Sequence, residues 1–361
     1  MSATTKVVRG ASTLAESGPQ TARVTSRFED LITAVLGTCM VGGLLTDAWA
    51  HTNIVNQLES FFTPWHAMLY GGFAATAAWT FWLGFRRRHG VPRWWRNAWP
   101  AGYAVGALGA ALFLVAGFGD MIWHQVLGIE ATLDAALSPT HLVLATGATL
   151  LLTSPLRSWW ANGAGRDRAA TGVWSLAIAL PVALVLVGFS SVLQSLAPTH
   201  TYDHVMNSPS HFEAAFGLAK YVLMTAFFVT ALLLVHRRRA TFGAGLAIVG
   251  AQSLFQMVQM EVPKTLTIAA IGATIGAGVA DLVLVRLDAV RGPDAPLRLP
   301  IAGAVFAALT WTGHLLGLRL ADDLRWSIEL WAGAVVLTAI LGFVLGGLAA
   351  TPAARSTLAK S

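Results

Sequence analysis

Ten apolar stretches limit what this chain can become. They lie at about 29–50, 64–85, 99–123, 140–157, 172–195, 211–235, 241–260, 265–285, 299–318 and 327–348. Each approaches the roughly 20 mostly apolar residues that a helix needs to cross the hydrocarbon of a bilayer. In lipid every backbone N–H and C=O must find its partner within the protein, which leaves helices and closed barrels. Runs of this length select the helix. Only 12% of the 361 residues are charged, against about a quarter in soluble proteins, so a cytosolic enzyme with an ordinary polar surface is excluded. The 14 Trp and 17 Phe exclude a disordered chain. A single cysteine, Cys39, leaves no intramolecular disulfide, Cys-rich zinc site or iron–sulfur cluster. The fold class is an all-α integral membrane protein of about ten transmembrane helices.

Basic residues give the orientation. With ten spans both termini share one side. That side collects the tail, the runs Arg86–Arg88 and Arg237–Arg239, and all the other lysines and arginines except Lys220, Lys264, Arg319 and Arg325. Both termini are therefore expected in the cytoplasm, and the formal +6 charge reads as topology rather than as a nucleic-acid surface. The polar N-terminal tail lacks the apolar core of a cleavable signal and is expected to be retained. The division that follows is a cytoplasmic tail at 1–27, a six-helix core rich in His and Asp at 28–236, a four-helix region at 237–348 and a C-terminal tail at 349–361. Trp94, Trp95, Trp99, Trp159 and Trp160 beside arginines read as interfacial anchors. Gly272-x3-Gly276 and Gly342-x3-Gly346 read as small-residue steps for close helix packing.

Histidines are placed against this pattern. Of the ten, all but His89 and His236 fall toward the outer ends of the spans. Three outer loops end in Ser/Thr-Pro-x-His directly before an apolar stretch: Thr63-Pro64-Trp65-His66, Ser138-Pro139-Thr140-His141 and Ser208-Pro209-Ser210-His211. Ser or Thr caps the helix, Pro takes the first helical position where its missing N–H costs nothing, and His falls third. A helix start disfavours a positive imidazolium, so each ring is expected neutral, the form that binds a metal.

The helix before each loop repeats as well. Asp47-x3-His51 recurs as Asp120-x3-His124, and residues four apart share a helix face. Glu59 and Glu130 stand in the intervening loops. The expected architecture is a set of repeated helical hairpins, the first two reading Asp, His, Glu, capped His. A third is degenerate, with Gln194, His200, Asp203, His204, His211 and Glu213. A fourth is fainter, with Gln252, Gln256, Gln259 and Glu261, and His314 and Glu329 stand outside the pattern.

Ionisable groups inside spans are costly and mark a functional site by default. Taken singly, each Pro-x-His reads equally well as a plain helix cap. Three copies and two Asp-x3-His pairs on one face of the membrane point instead to a metal centre. Asp47, His51, His66, Asp120, His124, His141, His204 and His211 are the candidate ligands, and Glu59 and Glu130 the candidate catalytic carboxylates. Imidazole and carboxylate suit zinc, copper and iron alike; the outer location and absent thiolates favour copper, with iron as the alternative. No phosphate loop or dinucleotide fingerprint occurs. Lys220 and Asp281, deep in their spans, have no evident role unless they form a conducting pair.

At its Asp-x3-His pairs the chain resembles the copper-binding C subunit of particulate methane and ammonia monooxygenases, in which Asp-x3-His is followed by a second His on the next helix. The matching positions are Asp47, His51 and His66, and again Asp120, His124 and His141; Asn207 and His211 loosely match an Asn-x3-His position of that family. The resemblance implies a copper-dependent oxidoreductase, monooxygenase-like, acting on a small or lipid-soluble substrate from the cell membrane, with its metal on the extracytoplasmic side. Partner subunits or a homo-oligomer are compatible with it. Two other functions stay open: a transition-metal transporter or copper-handling protein, and a haem protein ligated by His66 and His141.

Overall fold

The computed structural model describes residues 24–54, 61–128, 137–185, 211–237, 240–259, 264–292, 295–322 and 324–350. Every regular element among them is a helix: α1 (Arg27–Asn53), α2 (Pro64–Phe85), α3 (Trp94–Asn97), α4 (Ala104–Leu127), α5 (Pro139–Leu152), α6 (Ser154–Ala161), α7 (Arg166–Val185), α8 (His211–His236), α9 (Ala244–Gln259), α10 (Lys264–Arg291), α11 (Arg298–Leu320) and α12 (Ile328–Ala349). Six of them, α1, α4, α8, α10, α11 and α12, are long and apolar enough to cross a membrane. The fold is that of a multi-pass, all-α protein whose apolar helices contact lipid.

The other expected spans differ for local reasons. The stretch at 140–157 is two helices. Its backbone leaves α5 at Thr153, and Pro155 sits in the first turn of α6, where its missing N–H cannot continue a ladder. That leaves α5 with 14 residues, and α9 has 16. At about 1.5 Å per residue α5 by itself is shorter than a hydrocarbon layer of about 30 Å, and α6 continues from it. Helix α2 has 22 residues but carries His66, Tyr70, Thr76 and Thr80. Helix α7 opens on Arg166-Asp167-Arg168 and contains Pro181.

Helices α1 and α2 pair as one hairpin and α4 and α5 as another. Glycine sets how closely they approach. A Cβ on Gly43 would stand 2.6 Å from the backbone of Met68 and Leu69, and one on Gly72 would stand 2.6 Å from Met40 Cα. Across the second hairpin Gly109 and Gly147 face each other's carbonyls at 2.6 and 2.7 Å from the same imagined carbon. The same contact joins α10 to α11 through Gly272 and Gly313, and α11 to α12 through Gly303 and Gly342. Without a hydrophobic drive between helices in lipid, such backbone contact is a main source of association. Two buried apolar clusters result. One joins α1, α2, α4 and α5 around Met40, Phe73, Phe113 and Leu151; the other joins α6 and α8–α12 around Trp159, Phe228, Phe306 and Trp311, and α7 contributes to both.

At the end where α1 begins, a polar network ties these elements. Ser26 caps α1 and Glu29 returns its side chain to the Ser26 backbone, a capping box. Glu29 also accepts from Arg86 at 3.0 Å and from Arg87 at 2.7 Å. Next to it, buried Asp30 accepts from Tyr103 Oη at 2.8 Å, Ser158 Oγ at 3.0 Å and Arg168 Nη1 at 3.1 Å. One carboxylate thus links α1, the start of α4, α6 and α7. Removing one partner of a buried charged network costs about 3–5 kcal/mol. Asp30→Ala is therefore expected to lower the thermal midpoint of the detergent-purified protein steeply, while Asp167→Ala, whose partner Arg27 is exposed, changes it little; equal effects would contradict the clamp.

Candidate metal centre

The opposite end of the two hairpins holds the histidines. Helix α2 starts as its sequence dictates. Thr63 Oγ1 accepts from the His66 N–H at 3.1 Å, Pro64 takes the first position and His66 the third. Helix α5 repeats this with Ser138, Pro139 and His141, the cap accepting at 3.3 Å. Asp47 and His51 stand in the last turns of α1, and Asp120 and His124 in those of α4.

Their rings meet. His51 lies edge-on to His66 with centroids 5.5 Å apart and stacks on His124 at 6.0 Å; His66 and His124 are 6.1 Å apart, and His124 and His141 are 5.7 Å apart. Carboxylates fill the gaps between them. Asp47 Oδ1 is 3.6 Å from His66 Nε2, Asp120 Oδ2 is 3.5 Å from His124 Nε2, and Asp120 Oδ1 is 3.5 Å from His141 Nε2. Donor atoms of Asp47, His51 and His66 lie within 4.8 Å of one another, as do those of His66, Asp120 and His124. Four imidazoles and two carboxylates from two hairpins form one cluster.

Neighbouring groups orient them. His66 Nδ1 donates to the Phe61 carbonyl at 2.7 Å and His124 Nδ1 to the Gly128 carbonyl at 3.2 Å. A carbonyl can only accept, so both rings carry their proton on Nδ1 and turn the Nε2 lone pair into the pocket. Gly128, at φ 90°, makes the turn that brings its carbonyl back, a conformation glycine adopts without strain. His141 Nδ1 is 2.7 Å from Ser138 Oγ, and Thr140 Oγ1 donates to Asp120 Oδ1 at 2.7 Å. The ring of Phe61 stacks on His66 at 4.6 Å and comes within 6.2 Å of His124, covering part of the pocket.

The carboxylates of the site have few partners. Asp47 and Asp120 are 7% and 1% exposed and lie close enough to repel each other. Among the described residues their partners are imidazoles and one hydroxyl, with no lysine or arginine, and Asp47 Oδ1 is buried without a hydrogen bond. Buried carboxylates are ordinarily paired with cations or coordinate metals. The donor set fits a first-row transition metal.

Glu59, Glu130 and His204 lie outside the described residues, as do Ser208–Ser210; His211 opens α8, and its side chain is likewise outside the description. Phe61 and Tyr70, absent from the sequence reading, belong to the site, as does Thr140, which that reading gives only as the variable position of a cap. The repeat gives no hint of Thr140, because Trp65 holds the equivalent place in the first hairpin. Asp281 does not meet Lys220. Its carboxylate accepts from Gly245 N and Leu246 N at 3.0 Å each, capping α9 from a neighbouring helix, while the Lys220 ammonium stands 4.9 Å from the Phe216 ring. His314 is paired with Tyr221 at 2.9 Å in the other cluster of helices. No family model, curated protein or solved structure matches the chain.

The proton positions are directly measurable. In the metal-free protein, nitrogen-15 spectra of labelled histidine are expected to show a proton on Nδ1 of His66 and of His124. A proton on Nε2 of either ring would contradict the inward-facing lone pairs.

Proposed function

We propose that this chain is a cell-membrane metalloprotein of about ten spans with both termini cytoplasmic. Its extracytoplasmic rim holds a transition-metal centre, copper first and iron second, that serves a monooxygenase-like oxidoreductase. The observation that carries this reading is the meeting of Asp47, His51, His66, Asp120, His124 and His141, four imidazoles around two buried carboxylates with no lysine or arginine against them among the described residues. A bound metal supplies the redox chemistry, oxygen activation on a small or lipid-soluble substrate. The protein's part is to hold and to shield. His66, His124 and His141 turn Nε2 toward the carboxylates and His51 stands beside them, Asp47 and Asp120 ligate or orient, Thr140 fixes Asp120 and Phe61 limits water. Glu59 and Glu130, on the loops of the same hairpins, are the proton carriers in this reading, and His204 and His211 further ligands from the third. Exposed apolar side chains near the rim, Phe62, Val126 and Leu127, give a lipid-soluble substrate a route from the bilayer. Partner subunits or a second copy of the chain would complete such an enzyme.

What lies beneath the pocket favours a closed site over an ion path. Phe73 of α2 and Phe113 of α4 stack with centroids 4.3 Å apart, within an apolar cluster that includes Met40 and Leu144. A transported ion needs polar groups at that depth. Haem ligated by His66 and His141 is disfavoured by position, because the His124 ring contacts both and fills the space a porphyrin between them would need.

Elemental analysis of the detergent-purified protein is the test. At least one copper or iron per chain is expected, falling by about tenfold or more in His66→Ala and His141→Ala, since even supporting residues change metal affinity by about 10–100-fold. Negligible metal in the wild type, or content unchanged in both variants, would refute the reading.

A further inference from the structure

One turn beyond His66 on α2, Tyr70 reaches across to the second hairpin. Its ring packs against Phe113 at 5.9 Å, Phe61 at 5.7 Å and His66 at 6.3 Å. Room for it is made by Gly117, where a Cβ would stand 2.7 Å from Tyr70 Cε1 and 3.0 Å from Oη. Gly117 precedes Asp120 by three residues, the spacing that puts both on one face of α4. The hydroxyl therefore lies about one turn beneath Asp120, between the hairpins and on the floor of the pocket.

The Tyr70 Oη is buried and has no hydrogen-bond partner. A phenylalanine would fill the same space without stranding a donor. Leaving a buried hydroxyl unsatisfied is costly, and a ligand or ordered water that accepts from it removes that cost. Neither carboxylate of the site accepts its proton. An acceptor is missing from the protein itself. On the metal-centre reading, on which this inference rests, the floor of the pocket is where a small ligand of the metal would end.

We infer that Tyr70 is a binding residue of this centre, donating a hydrogen bond from Oη to a small ligand that carries an oxygen or nitrogen terminus. A role in binding rather than folding has a signature that no purely structural tyrosine shares. Removing the hydroxyl should cost the empty protein nothing while weakening the ligand.

The test compares wild type with Tyr70→Phe as full-length, detergent-purified protein. Stripped of metal, Tyr70→Phe is expected to melt at the same temperature as wild type or higher. Loaded with cupric ion and titrated with azide, it is expected to bind copper equally and azide about tenfold more weakly, the equivalent of about 1.4 kcal/mol. A clear fall in the melting temperature of the metal-free variant overturns the inference, since the hydroxyl then has a structural partner or an ordered water. Equal azide affinity in the two copper-loaded proteins overturns it as well, while leaving the metal centre standing. If wild type takes up no copper or iron, the centre itself is refuted and the inference falls with it.

Discussion

Everything at the pocket depends on how two helices begin. A helix start leaves N–H donors without partners, and a Thr or Ser cap with Pro behind it answers that need within four residues. Histidine in the third position then has its backbone held by the cap, and its ring stands over the start of the helix. In α2 the Nδ1 proton goes to a carbonyl just upstream, and in α4 to one just downstream of the helix end. Local hydrogen bonds thus decide which nitrogen of each ring faces inward. Glycine contacts complete the placement, because α1 against α2 and α4 against α5 meet backbone to backbone. Little slack remains between the two carboxylates and the imidazoles they face.

The two ends of these hairpins treat buried charge in opposite ways. At the α1 start, Glu29 and Asp30 are surrounded by arginines, hydroxyls and a capped backbone N–H, so their charge is matched inside the protein. At the other end, Asp47 and Asp120 face imidazoles and the Thr140 hydroxyl, with no lysine or arginine among the described residues. The first arrangement stabilises a fold. The second leaves buried carboxylates that a cation would complete, and the Tyr70 hydroxyl lies nearby. Clustered carboxylates and imidazoles with no lysine or arginine against them are what a metal site asks of a structure.

Much of this was legible in the sequence. Apolar run length gave the helices, and the Ser/Thr-Pro-x-His quartets marked the starts of α2 and α5 because capping is decided within four residues. The paired Asp-x3-His steps gave α1 and α4 their polar faces. Less visible was whatever depends on distant partners. Asp30 looks like one more acidic residue at a helix start until Tyr103, Ser158 and Arg168 converge on it. Asp281 looks like a buried charge awaiting a cation, whereas it caps a neighbouring helix. Tyr70 carries no motif, and its importance appears only once Gly117 on another helix is seen to admit its ring. Hydropathy alone also hid the break at Thr153, where one proline divides an apolar run into α5 and α6.

Anomalous diffraction at the copper edge, from crystals of the copper-loaded protein, would locate the ion itself. The account places the signal between the hairpins, bounded by Asp47 and Asp120 and within bonding distance of imidazole nitrogens from both α2 and α4. Signal confined to His89 on the arginine-rich side, or to the His314–Tyr221 pair, would contradict it.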